Sequence, residues 1–190
     1  MADSKPSSAL TAKIHHRARA IVTPIEIFEA SDTAPKPGTV CKTTALWDTG
    51  ATNSVIATST VKALGLKPTG TTLVEAGGKT EQKTTYVVNI LLLPNRVLVQ
   101  GVVVTELDSI LKGACGAIIG MDIITEGDFS ICNPENETWM SFRIPSSAQT
   151  DYVKEVKAIK FAGTKRNAPC PCGKVDAQGH RIKYKYCCGR

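Results

Sequence analysis

Ala45-Leu46-Trp47-Asp48-Thr49-Gly50-Ala51 is the stretch on which the reading of this chain turns. The apolar run before Asp48 reads as the end of a strand that delivers a carboxylate to its C-terminal tip. Gly50 then permits a tight turn with close backbone approach, and Thr49 supplies a hydroxyl beside the carboxylate. This is how an aspartate would be held rigidly in a largely apolar site. Asp-Thr-Gly alone also fits an ordinary structural turn, so its surroundings must decide.

Outward from this stretch, Ala18–Glu29 reads as a strand, with Pro24 suggesting an edge or a break. Ser31–Gly38 is a turn-rich connector, and Thr39–Trp47 is the partner strand. After Asp48 come a short strand over Asn53–Ile56 and a short helix over Thr58–Leu66 with Gly65 at its end. Two strands, Thr71–Ala76 and Thr80–Val88, flank Gly77-Gly78, a hairpin signal. Asn89–Leu93 and Arg96–Glu106 read as the next two strands, joined at Pro94-Asn95. Ala117–Ile119 is a short buried strand running into a helix near Asp122–Thr125. Phe129–Cys132 and Thr138–Ile144 form a last hairpin. Short strands, frequent turns and very little helix indicate an all-β barrel or sandwich.

Taken together, these features resemble the retropepsin-like aspartic proteases. The apolar run before Asp48 and Ala51 after Gly50 match that family's active-site loop. Ala117-Ile118-Ile119-Gly120-Met121-Asp122-Ile123-Ile124 is similar to its second motif, and the hairpin tipped by Ala76-Gly77-Gly78-Lys79 stands at its flap position. Trp47 is bulkier, and Lys79 more polar, than the residues common there. The likeness runs over about Arg17 to Ser146, and Gly127-Asp128-Phe129 through Ser146 looks more like bacterial members than viral ones. The resemblance implies an acid-protease barrel with a short helix. It also implies Asp48, Thr49 and Gly50 as the catalytic set, and Ala51, Ala76, Gly77 and Gly78 against the substrate.

Peptide hydrolysis by this route needs one carboxylate to deprotonate a water and a second, protonated carboxyl to polarise the carbonyl. Two neighbouring carboxyls cannot both ionise, so they share a proton. The chain has a single Asp-Thr-Gly, and the second aspartate must come from another molecule. A homodimer with Asp48 and its twin on the twofold axis is the economical answer. No cofactor is needed for this chemistry.

The charge is unevenly placed. The net +6 arises from residue 151 onward, where ten Lys/Arg face three Asp/Glu. A near-neutral body thus carries a basic tail, which suits an anionic partner such as nucleic acid or a ribosome, or is a solvated appendage. No apolar run approaches the roughly 18–20 residues of a membrane helix, so no membrane insertion is expected. Residues 1–12 are polar and read as disordered, without the apolar core of a secretory signal. Seven cysteines, an odd number, argue for a reducing compartment and not a disulfide scaffold. The expected location is the cytoplasm.

Cys170, Cys172, Cys187 and Cys188 form two close pairs at the C-terminal end. Two thiols one residue apart can grip one metal if the backbone turns sharply, as Pro171 and Gly173 allow. Four thiolates suit tetrahedral Zn²⁺. A segment this small has no core of its own, so metal binding would supply its folding energy. Cys-Pro-Cys-Gly, then Lys-Tyr-Lys, then Cys-Cys-Gly resembles the SEC-C motif. Fourteen residues separate the pairs, more than the motif's usual spacing, and the extra length falls on a turn at Asp176–His180. The resemblance implies a structural zinc module that contacts a protein or ribosome, since four thiolates leave no open coordination position. His180 is a substitute ligand or a solvated loop residue.

The expected organisation is therefore a disordered 1–12, a retropepsin-like domain over 13–148, a helix and basic linker over 149–168, and a zinc-binding module over 169–190. The expected function is a homodimeric aspartic endopeptidase acting on peptide or protein substrates, with a zinc-bound tail for recruitment. The alternative is a non-catalytic dimer of this fold that presents its zinc modules to a protein, ribosome or nucleic acid.

Overall fold

The computed structural model describes residues 7–31, 39–76 and 78–189. The chain divides into two compact units, the first ending at Ser147 and the second spanning Ala148–Arg190.

In the first unit, β1 (Ser8–Ile14), β2 (Ile21–Glu29), β3 (Val40–Trp47) and β4 (Val55–Ala57) precede helix α1 (Thr58–Leu64). Then follow β5 (Gly70–Ala76), β6 (Lys79–Leu92), β7 (Val97–Leu107), β8 (Ala117–Ile119), α2 (Met121–Ile124), β9 (Asp128–Cys132) and β10 (Thr138–Ile144). Six strands close on themselves in the order β2–β3–β8–β4–β7–β6, with β6 pairing back to β2. The barrel follows from alternation. In β2, Ile21, Thr23, Ile25 and Ile27 point inward and are buried, while Pro24 and Glu26 face out. Pro24 lies one residue before the β2–β6 ladder begins at Ile25, where its carbonyl still accepts from the Leu93 N–H at 3.2 Å, and at this ladder end the missing N–H is tolerated.

A second sheet, β1–β10–β9, covers the barrel and adds Leu10, Met140 and Phe142 to the same core. Full burial of such side chains stabilises by about 1.5–3 kcal/mol each. Here the expectation of disorder over 1–12 is corrected for residues 8–12. They belong to β1, which pairs with β10 from Ser8↔Ile144 to Ile14↔Thr138. The partner strand lies about 130 residues away in sequence, and the polar composition of the segment concealed a strand that tertiary pairing stabilises. Residues 1–6 lie outside the described residues, as does most of the connector at 32–38.

The expected strands Thr80–Val88 and Asn89–Leu93 are one continuous β6, with a register irregularity between Val88 and Ile90. Asn89 is buried there. Its Oδ1 accepts from the Gly101 N–H at 2.9 Å and its Nδ2 donates to the Ser31 carbonyl at 3.3 Å. A polar residue at a bulge looks in sequence like a strand end, although its amide completes the ladder.

Two pairings position the site. β3 and β8 run parallel, with Trp47 opposite Ile119, and β8 also pairs antiparallel with β4. The turns after β3 and β8 therefore leave the barrel side by side.

The second unit opens with α3 (Tyr152–Lys160), capped by Asp151, whose carboxylate accepts from the Lys154 N–H at 2.9 Å. Phe161 is buried against the Tyr184 ring at 6.0 Å. Bridges Pro169↔Lys183 and Val175↔Arg181 fold the cysteine segment back on itself. Among the described residues, no helix is long and apolar enough to cross a membrane.

Candidate functional site

Asp48 is the first residue beyond β3. Its N–H donates to the Ile119 carbonyl at 3.0 Å, extending the β3–β8 pairing by one step. Its side-chain Oδ1 accepts from the Gly50 N–H at 2.8 Å, and its carbonyl accepts from the Ala51 N–H at 3.2 Å. The carboxylate is thus fixed by its own turn while remaining partly exposed, with Thr49 and Gly50 exposed beside it. A side chain at Gly50 would begin 3.2 Å from Asp48 Oδ1, crowding the group that the turn orients. Asp48, Thr49, Gly50 and Ala51 are therefore brought together in one turn.

A second layer clamps this turn. The Met121 and Asp122 N–H groups donate to the Ala51 and Thr52 carbonyls at 2.8 and 3.1 Å. Asp122 accepts from Ser54 twice, from the backbone N–H at 2.9 Å and from the hydroxyl at 2.8 Å. The Ser54 hydroxyl in turn accepts from the Gly120 N–H at 3.0 Å. Gly120 has to be glycine for reasons of space, since a Cβ there would stand 2.6 Å from the Asn53 carbonyl carbon. Behind the site, the Trp47 indole N–H donates to Thr23 Oγ1 at 2.9 Å, and its ring packs on Phe129 and Phe142, each at 5.3 Å. The bulk of Trp47 is thus matched by a polar partner and two rings.

Asp122 and Ser54 were not singled out from sequence. The available signal was an acidic residue directly after a Gly-Met step, at the start of a short apolar helix. It gains meaning only when paired with a buried Ser that lies 68 positions away.

The Ala76–Lys79 pair closes the β5–β6 hairpin around a two-residue tip. Gly78 has a positive φ of 75°, the left-handed region that glycine adopts without strain. Gly77 lies outside the described residues, and of Ala76 only the backbone pairing is described. β6 meets β7 only from Thr85 onward and β2 only from Val88. The hairpin outside that region is a two-stranded ribbon standing off the barrel.

In the second unit, the Sγ atoms of Cys170, Cys172, Cys187 and Cys188 all lie within 4.8 Å of one another. Cys172 and Cys187 are 3.4 Å apart, and Cys187 and Cys188 are 3.9 Å apart. The first pair is set by Cys170 N–H donating to Ile182 and by a turn closed on Gly173, which has φ 80°. The second pair is set by a helical turn at Tyr184–Tyr186, with the Cys187 and Gly189 N–H groups both donating to the Tyr184 carbonyl. The long connection folds into a turn in which Asp176 Oδ1 accepts from the Gln178 and His180 N–H groups. His180 is exposed and does not belong to the thiol cluster.

The thiols share their protons unequally. Burial works against the Cys170 thiolate, but hydrogen bonds from the Cys172 and Cys188 backbone and thiols outweigh it and bring it down to about 6. Burial, with the neighbouring thiols, pushes Cys188 up to about 12, and Cys172 foremost raises Cys187. Four thiolates around Zn²⁺ at about 2.3 Å would have sulfur–sulfur edges of roughly 3.8 Å. The close pairs match that size, and the all-sulfur donor set suits a soft or borderline cation. These four cysteines could hold a metal ion.

Residues 38–123 match a family model described as aspartyl protease. The match spans the Asp48 turn and ends in α2, and it covers somewhat under half of the chain. No curated protein matches the chain. Among solved structures, it is similar to a retropepsin-like aspartic protease from Rickettsia conorii. The identity is 12% and the TM-score 0.42, over 73% of this chain and 96% of that one.

Proposed function

We propose that this chain is a retropepsin-like aspartic endopeptidase that works as a homodimer, with Asp48 of each subunit forming the water-activating dyad. The observation that carries the reading is the Asp48 turn, whose carboxylate is oriented by the Gly50 N–H and whose following residues are clamped by Gly120, Met121 and Asp122. The family match over 38–123 supports the same class of chemistry.

In this reading one Asp48 carboxylate takes a proton from a water as the water attacks the scissile carbonyl. The other, protonated, carboxyl donates to the carbonyl oxygen. A tetrahedral intermediate forms, and its collapse breaks the C–N bond as the amine leaves with a proton. Thr49 bonds across the dimer axis and Gly50 borders the substrate carbonyl. The β5–β6 ribbon, with Ala76, Gly77 and Gly78 at its tip, closes over substrate alongside Ala51 and excludes water.

The four-cysteine unit is a SEC-C-like module holding a structural Zn²⁺, which supplies folding energy and no catalytic step. Its basic surface recruits a partner or substrate, and the enzyme works in the reducing cytoplasm. The uneven charge, ten basic against three acidic residues from 151 onward, favours a second reading in which the dimer only presents these modules. That reading predicts no Asp48-dependent cleavage.

The deciding experiment is Asp48→Asn. Cleavage of a denatured protein substrate at acid to neutral pH should fall by about three orders of magnitude or more, with the dimer retained in sedimentation. Unchanged activity in a clean preparation, or full activity from a monomer, would sink the assignment.

A further inference from the structure

Helix α3 carries large apolar side chains that the chain leaves uncovered. Tyr152, Val153, Val156 and Ile159 are 65%, 64%, 61% and 78% exposed. Their spacing puts them on one stripe of the helix, the kind of stripe that normally faces a core. Tyr152, Val153 and Val156 of this stripe form one wall of a groove of about 520 Å³, which Phe161, Lys157 and Lys160 line with them and which Cys172 and Cys188 of the thiol cluster close off. Apolar anchoring positions and cationic groups therefore share one concave surface.

Charge narrows the occupant. Residues 151–190 hold ten Lys/Arg against three Asp/Glu. Four thiolates around a divalent ion would lower that balance by about two charges and leave it positive. A second copy of this unit would bring like charge against like charge. A nucleic acid would satisfy the lysines but has no aliphatic side chains to fill the space between Val156 and Phe161. A bilayer requires an apolar face that enters the lipid as a plane, whereas these residues line a hollow on a nine-residue helix. A peptide with apolar side chains at helical spacing and carboxylates between them satisfies both halves of the surface.

We propose that this groove is a docking site for an acidic, amphipathic segment of a partner protein. The proposal gives a chemistry to the recruiting role of the second unit and rests on that reading. It is independent of Asp48.

The test uses the full-length, Zn²⁺-loaded chain and a fluorescent synthetic peptide with Leu at i, i+3, i+4 and i+7 and Glu elsewhere, followed by anisotropy. Saturable binding is expected, weakened at least about tenfold by Val153→Ser with Val156→Ser, as for loss of an anchor. Lys157→Glu with Lys160→Glu should weaken it similarly, and the same peptide with Lys in place of Glu should not bind. These positions are exposed, and helical content by circular dichroism confirms that the variants fold. Absence of saturable binding overturns the proposal, as does binding that the valine variants leave unchanged. Binding that instead depends on Lys174, Arg181, Lys183 and Lys185 overturns the groove but keeps recruitment. Valine-dependent self-association, or valine-dependent binding to phosphatidylserine vesicles without peptide binding, assigns the face to another occupant and also overturns it.

Discussion

Ser54 is fully buried, and a buried hydroxyl is tolerated only with partners. Its partners are Asp122 and the Gly120 N–H, and together they tie the chain after Asp48 to the start of α2. Asp122→Ala would leave the Ser54 hydroxyl and N–H without their acceptor, with no room for the loop to relax past Gly120. The expected loss is about 2–3 kcal/mol, the scale of leaving buried polar groups unsatisfied. A shift of the urea midpoint at constant slope measures it, and a change below about 0.5 kcal/mol would mean that the clamp carries no weight. At this scale the sequence was informative about residues whose role is local. Asp48, Thr49 and Gly50 form a contiguous turn, and contiguity can be read. Ser54 and Asp122 act only as a pair, which the order of residues along the chain does not reveal.

At the scale of elements, alternation made most strands legible, because a half-buried strand writes its two faces into sequence with period two. It failed where a strand departs from that period or depends on a distant partner. β1 follows directly on a polar, proline-containing stretch that masks its start, and it exists because β10, about 130 residues away, offers an edge to pair with. β6 was divided in two because Asn89 interrupts an apolar run, yet Asn89 holds the strand together across its bulge by bonding Gly101 of β7 and Ser31. Asn89→Ala removes the acceptor of the Gly101 N–H from a buried position. It should lower stability by about 1–3 kcal/mol and speed amide exchange at Gly101 more than at Val104, which lies in the regular part of the β6–β7 ladder. Equal exchange at both positions would show that the amide does not fasten the bulge.

For the whole molecule, the two units differ in what holds them. The first encloses a shared core of β-sheet residues, whereas the second has few buried side chains, Phe161 and Cys170 among them. A unit with so little apolar burial needs a cross-link, and the gathered thiols supply the ligands for one. Removing the proposed ion with a chelator should therefore abolish amide protection within Ala148–Arg190 and leave the thermal transition of the first unit in place. Adding Zn²⁺ back should restore the protection. Retained protection in a preparation shown by elemental analysis to be metal-free would mean that the ion does not hold the module. The cysteine cluster was legible because its ligands come in two short runs. The helix within 149–168 was legible, but whether its apolar side chains were covered depended on packing, which periodicity does not report.

The packing around Trp47 has an optical consequence. The chain has two tryptophans, and they sit in different surroundings. Trp47 is buried between two phenylalanines with its N–H engaged, whereas Trp139 is half-buried under the Lys13 ammonium at 5.0 Å. The indole next to Asp48 is thus an intrinsic fluorophore in a dry, aromatic setting. Its emission spectrum reports the integrity of the strand that carries the carboxylate, without a label and without a substrate.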